Sequence, residues 1–178
     1  MELLRKTTGD NSDKKPLFEK SRHPNKACAH KWDWVFIADE QARANIAYQM
    51  QYLEFLVNLY NDYQIYAAVE SLLCKNIMVL IDSIVECALF DLVNQACAKA
   101  NLQYDKKTFQ TKIIQTACDL GIITKHMKDN FHNLRRVRNL LHMKGIEYAE
   151  YNAYTIDEAN NYLRLLEKFR ARIAAGKA

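Results

Sequence analysis

From Ile65 to Ala100 the chain contains neither glycine nor proline, and its apolar residues lie around more than one helical face. Nothing in that stretch breaks a helix, and a helix apolar on several sides must be covered on several sides. It therefore belongs at the centre of a bundle, or of a bundle that also pairs with a second subunit. The rest of the composition agrees: four glycines and two prolines, both prolines before residue 25, leave few turns and long elements. The expected fold class is all-α, a bundle of about five helices. A length of 178 residues suits one domain with a sizeable core.

The remaining elements follow from periodicity and caps. Residues 1–30 are rich in Lys, Asp, Asn and Ser with little periodicity, which predicts a loosely packed arm ahead of a single domain over 31–174. Packed structure is expected to begin at Trp32, Trp34, Phe36 and Ile37. From Ala38 to about Tyr60, Ile46, Met50, Leu53, Val57 and Tyr60 recur at helical spacing. A helix from about Lys107 to Leu120 carries Phe109, Ile113, Ile114 and Ala117 as its apolar stripe, with Gly121 placed for a left-handed C-terminal cap. Thr124 can cap a further helix ending near Met143, and Thr155 with Glu158 forms a capping box for a final one. Between them, Tyr148 to Tyr154 is expected to form a connecting loop.

Several function classes are set aside by composition. The first twenty residues lack an apolar core of signal-peptide length, so a cytoplasmic location is expected. Glu70, Lys75, Asp82, Glu86 and Asp91 interrupt the apolar stretch, and no run approaches the roughly 20 residues needed to span a bilayer. Five cysteines with no C-x-x-C pair read as thiols of a reducing compartment. His23, Cys28 and His30 lack a fourth ligand for zinc, and no metal or other cofactor is expected.

Charge is unevenly placed. Residues 121–144 carry Lys125, Lys128, Arg135, Arg136, Arg138 and Lys144 against Asp129 alone, a surplus larger than the net charge of +4 on the whole chain. Such a patch attracts phosphate, although a solvated helix face has the same pattern. Arg135, Arg138 and His142 are spaced three and four apart, within about 60° on a helical wheel, beside the apolar stripe of Phe131, Leu134, Val137 and Leu141. Two guanidiniums and an imidazole repel unless an anion or a carboxylate joins them. With phosphate, arginine forks stabilise developing charge and histidine moves a proton, which suffices to cleave RNA through its own 2′-hydroxyl without a metal. Asn139 could orient the ligand or the histidine. With a carboxylate, Arg135 and Arg138 are structural partners of a neighbouring helix. Glu70, Asp82 and Glu86 are read as solvent-facing or paired residues.

The segment LRRVRNLLHMKG, together with the long helix AAVESLLCKNIMVLIDSIVECALFDLV, resembles the HEPN superfamily of small all-helical domains. That superfamily carries an arginine, often followed by a polar residue, then a histidine four to six residues beyond. Arg138-Asn139 matches the first part and His142 the second, with three intervening residues; Arg136 and Arg135 stand before it with five and six intervening residues, without the adjacent Asn. The resemblance implies a homodimer that brings its motif helices together at a cleft. It also implies an RNA-binding protein, in many members a metal-independent endoribonuclease of toxin–antitoxin or other defence systems. Catalytic roles would fall on Arg138, His142, Arg135 and Asn139. Two alternatives stay open beside this: an inactive dimerisation or protein-interaction module, and a partner of a cognate protein.

Overall fold

A computed structural model describes residues 3–4, 22–100, 109–140 and 153–176. It is an all-α bundle, with no strand among the described residues. Among the described residues six helices occur: α1 (Ala27–Trp32), α2 (Glu40–Asp62), α3 (Ala67–Lys99), α4 (Gln110–Asp119), α5 (Lys125–Asn139) and α6 (Ile156–Ala174). At 33 residues α3 runs for about 50 Å. It packs against α2, α4, α5 and α6, while α1 lies on α2. Its all-round apolarity is used as expected: Ile77, Ile81, Ile84, Ala88, Leu89 and Val93 are fully buried. No helix among the described residues is long and apolar enough to cross a membrane.

The polar residues that interrupt α3 each fasten a different neighbour. Asp91 accepts the backbone N–H groups of Ala38 and Asp39 at 2.9 and 3.0 Å, fixing the entry to α2. Ser71 Oγ accepts the N–H of Tyr154 at 3.0 Å, just before α6. Lys75 Nζ donates to the Leu140 carbonyl at 2.9 Å, at the end of α5. Glu70 accepts the Tyr60 hydroxyl at 2.7 Å. A buried polar group left without a partner is costly, so each of these bonds also selects which segment may pack there.

The caps form as the sequence predicts. Thr124 accepts the N–H of Met127, and both arms of the Thr155–Glu158 box are made. Gly121 adopts φ +74°, the left-handed region, and the N–H groups of Gly121 and Ile122 bond back to the Cys118 and Ala117 carbonyls.

Three departures have physical causes. The described parts of the 1–30 segment are packed: Leu4 is buried, and its N–H and carbonyl bond both ends of the Asn160 amide at 2.8 and 2.9 Å. Nearer the domain, Arg22 pairs with Asp62, Asn25 holds Glu54, and α1 adds a short sixth helix before residue 31. Single apolar residues anchored by distant amides leave no periodic signal. Trp32 is 80% exposed, whereas Trp34 and Ile37 two and five residues on are fully buried. Phe109 is 84% exposed as the N-cap of α4; it sits outside the first helical turn and so outside the apolar stripe expected to include it.

Candidate functional site

Among the described residues α5 runs to Asn139 with Leu140 as its C-cap, and the end expected near Met143 lies outside them. The buried Lys75 ammonium on the Leu140 carbonyl supplies a cation where the helix dipole is negative, and it lies 5.4 Å from the Tyr154 ring centroid. The last turn of α5 is thereby fixed to the middle of the bundle. His142 lies outside the described residues.

Arg138 projects from that turn onto α3. Its Nη1 contacts Glu86 Oε2 and lies 3.3 Å from Asp82 Oδ2. The pairing anticipated for Arg138 with carboxylates of a neighbouring helix is therefore present, with Asp82 and Glu86 as the residues involved. Only Nη1 takes part, so Nε and Nη2 keep donors without a partner among the described residues. A guanidinium held at one corner is pre-set to offer its other edge to a second oxygen-rich group.

Asp82 is fully buried. Gln110 Nε2 of α4 donates to its Oδ1 at 2.8 Å. Burial pushes the carboxyl up to about 6; the Gln110 bond and the Arg138 and Arg135 cations act downward, and Glu86 acts upward. Asp82 Oδ2 and Gln110 Oε1 are both buried without a hydrogen-bond partner.

Arg135, one turn earlier, is half-buried and has no carboxylate partner among the described residues. Together with Arg138, the exposed Asn139, Glu86, Phe109, Gln110 and Thr111 it lines a surface concavity of about 360 Å³. The structure thus brings Arg135, Arg138 and Asn139 to one place. It adds Phe109, Gln110 and Thr111 from α4, which sequence spacing could not associate with α5. His132 stands three residues before Arg135 on the same helix, outside the lining of the concavity, and burial, then the Arg135 and Lys128 cations, hold its imidazole below the usual range.

The arrangement offers guanidinium donors for phosphate, an exposed ring for stacking, and amide and hydroxyl groups for hydrogen bonding. Among the described residues no cluster of three or more His, Cys, Asp or Glu side chains is placed to hold a metal. No family model, curated protein or solved structure matches the chain.

Proposed function

We propose that the chain is a HEPN-like RNA-binding protein that works in the cytoplasm as a homodimer and cleaves RNA without a metal, in a defence or toxin–antitoxin setting. The observation that carries this reading is the concavity shared by Arg135, Arg138, Asn139 and the 84% exposed Phe109. Arg135 and the open edge of Arg138 bind successive phosphates. Phe109 stacks an unpaired base, and Asn139 and Thr111 hydrogen-bond the sugar or base edge. His142, carried over from the resemblance, serves as general acid or base on the 2′-hydroxyl or the leaving oxygen. Five cysteines without a disulfide fit a reducing compartment.

Binding of a labelled single-stranded RNA, measured by fluorescence anisotropy over a salt series, tests the surface. Arg135→Ala lowers the magnitude of the salt slope by about one contact. Phe109→Ala weakens binding by about 1–3 kcal/mol without changing that slope. Cleavage by purified protein persists in EDTA, leaves cyclic or 3′-phosphate ends, and is lost in His142→Ala. Equal RNA affinity in wild type, Arg135→Ala and Phe109→Ala removes the proposed surface.

A second reading is favoured by a different face. Tyr48, Tyr52 and Phe55 share one stripe of α2 and are 61%, 45% and 38% exposed, while Tyr66, Val69 and Leu72 at the start of α3 are 62%, 64% and 45% exposed. An interaction module would use this uncharged surface for pairing, and Arg138 would then serve only the bundle. In that case purified protein shows no cleavage, and Arg138→Ala lowers thermal stability with no loss of RNA affinity.

A further inference from the structure

On a different side of the bundle, α1, α2 and the end of α6 enclose a cavity of about 340 Å³ that none of the RNA reading uses. Its Arg, Asp and Glu side chains are already paired, within the lining or just beyond it. Arg22 Nε reaches both oxygens of Asp62 at 3.0 and 3.2 Å. Arg170 pairs with Asp33 at 2.7 Å and Glu167 at 3.0 Å. Glu54 accepts from the Asn25 backbone and side chain at 3.0 and 2.9 Å and is 3.0 Å from His30 Nε2. A ligand bearing an extra full charge would have to break one of these pairs, so the cavity suits a neutral guest.

The exception is Asn58. It is only 6% exposed, lines this cavity, and its amide makes no hydrogen bond among the described residues. Nor does it belong with the sealed, unpartnered atoms of the core, which among the described residues are Trp34 Nε1, Arg43 Nε, Asp82 Oδ2 and Gln110 Oε1. Its small exposure is therefore toward the cavity. A nearly buried amide without a protein partner is a donor and an acceptor held side by side for something else. Met50 and Val57, 4% and 1% exposed, line the same cavity and give its floor a small apolar edge.

We infer that this cavity binds a nucleobase-bearing small molecule of nucleoside size, with the Asn58 amide pairing to the donor–acceptor edge of the base. The carboxamide of asparagine matches such an edge with two parallel hydrogen bonds, as it does with adenine. A volume of about 340 Å³ is at the small end of ligand pockets, which excludes long chains and dinucleotides. Neutral nucleosides fit the paired electrostatics better than polyphosphates do. The inference stands apart from the RNA-binding reading, since the two sites share no residue.

The test is isothermal titration of the full chain with adenosine, guanosine, cytidine and uridine, with ribose and inorganic phosphate as controls. At least one nucleoside binds with a measurable constant, and ribose and phosphate do not. Asn58→Leu keeps the wild-type thermal midpoint to within a few degrees, because it replaces an unpaired amide by an apolar group of similar size, and it weakens nucleoside binding at least tenfold. Ala29→Trp, an exposed position at the cavity mouth, blocks binding without touching the core, which keeps the test decisive if Asn58→Leu folds poorly. RNA affinity stays unchanged in both variants, so this site and the α5 surface fail or succeed separately. Absence of binding by all four nucleosides at millimolar concentration, or full binding by Ala29→Trp, overturns the inference.

Discussion

Replacing Asp82 by Asn removes a charge from the bundle interior while keeping the side chain's shape, and its effect on stability should depend on pH in a direction the structure sets. Asp82 is fully buried, and its carboxyl is raised from 3.8 to about 6. The folded chain thus holds this proton more tightly than the unfolded chain does. The resulting stabilisation is complete below the unfolded value near 3.8 and is lost as pH rises through about 6. At about 1.4 kcal/mol for each pH unit between those values, the loss amounts to about 3 kcal/mol. The packing gives a reason. Asp82 accepts one hydrogen bond, from Gln110 Nε2 to Oδ1, while its buried Oδ2 has no hydrogen-bond partner, so the ionised carboxylate is poorly solvated there. Arg138, 3.3 Å from Oδ2 and shared with Glu86, offsets only part of the cost of burying the charge. The assay is urea unfolding followed by circular dichroism on wild type and Asp82→Asn in steps from about pH 4 to about pH 8, since the difference cancels the other carboxylates. The variant should match wild type near pH 4 and exceed it near pH 8 by up to about 3 kcal/mol. A difference that does not change with pH, or one in which wild type gains on the variant as pH rises, would refute the reasoning and give the Arg138 ion pair the larger role.

Three further outcomes follow from single contacts. Lys75→Met leaves the Leu140 carbonyl without its donor at the end of α5 and should cost about 1–3 kcal/mol in urea unfolding, whereas a neutral result would mean the last turn is held by other contacts. Leu4→Ala, at a side chain 3% exposed, should cost about 2–3 kcal/mol, and no change in the unfolding midpoint would show that the Asn160 clasp does not persist in solution. If the uncharged stripe on α2 and α3 is the homodimer surface, light scattering should give twice the chain's mass for wild type and the chain's own mass for Val69→Glu; a wild-type monomer over a micromolar series excludes it.

What the sequence determined by itself was whatever depends on neighbours within one or two helical turns. The capping box at Thr155, the Thr124 cap, the left-handed Gly121 and the uninterrupted α3 are set by residues at most a few positions apart, and each formed where periodicity and cap chemistry placed it. The central position of α3 was legible for the same reason, because an all-round apolar helix can only be buried. Spacing on α5 likewise grouped Arg135 and Arg138, which line one concavity, together with His142, which lies outside the described residues. Only the tertiary structure decided what those side chains face. Glu86 and Arg138 are 52 residues apart, Gln110 and Asp82 28, and Leu4 and Asn160 156, and no local pattern records such pairings. The exposure of Phe109, the open edge of Arg138 and the unpaired Asn58 beneath α1 are of this kind. Each is settled by which helix packs against which, and that is decided by burial and hydrogen bonding summed over the whole bundle.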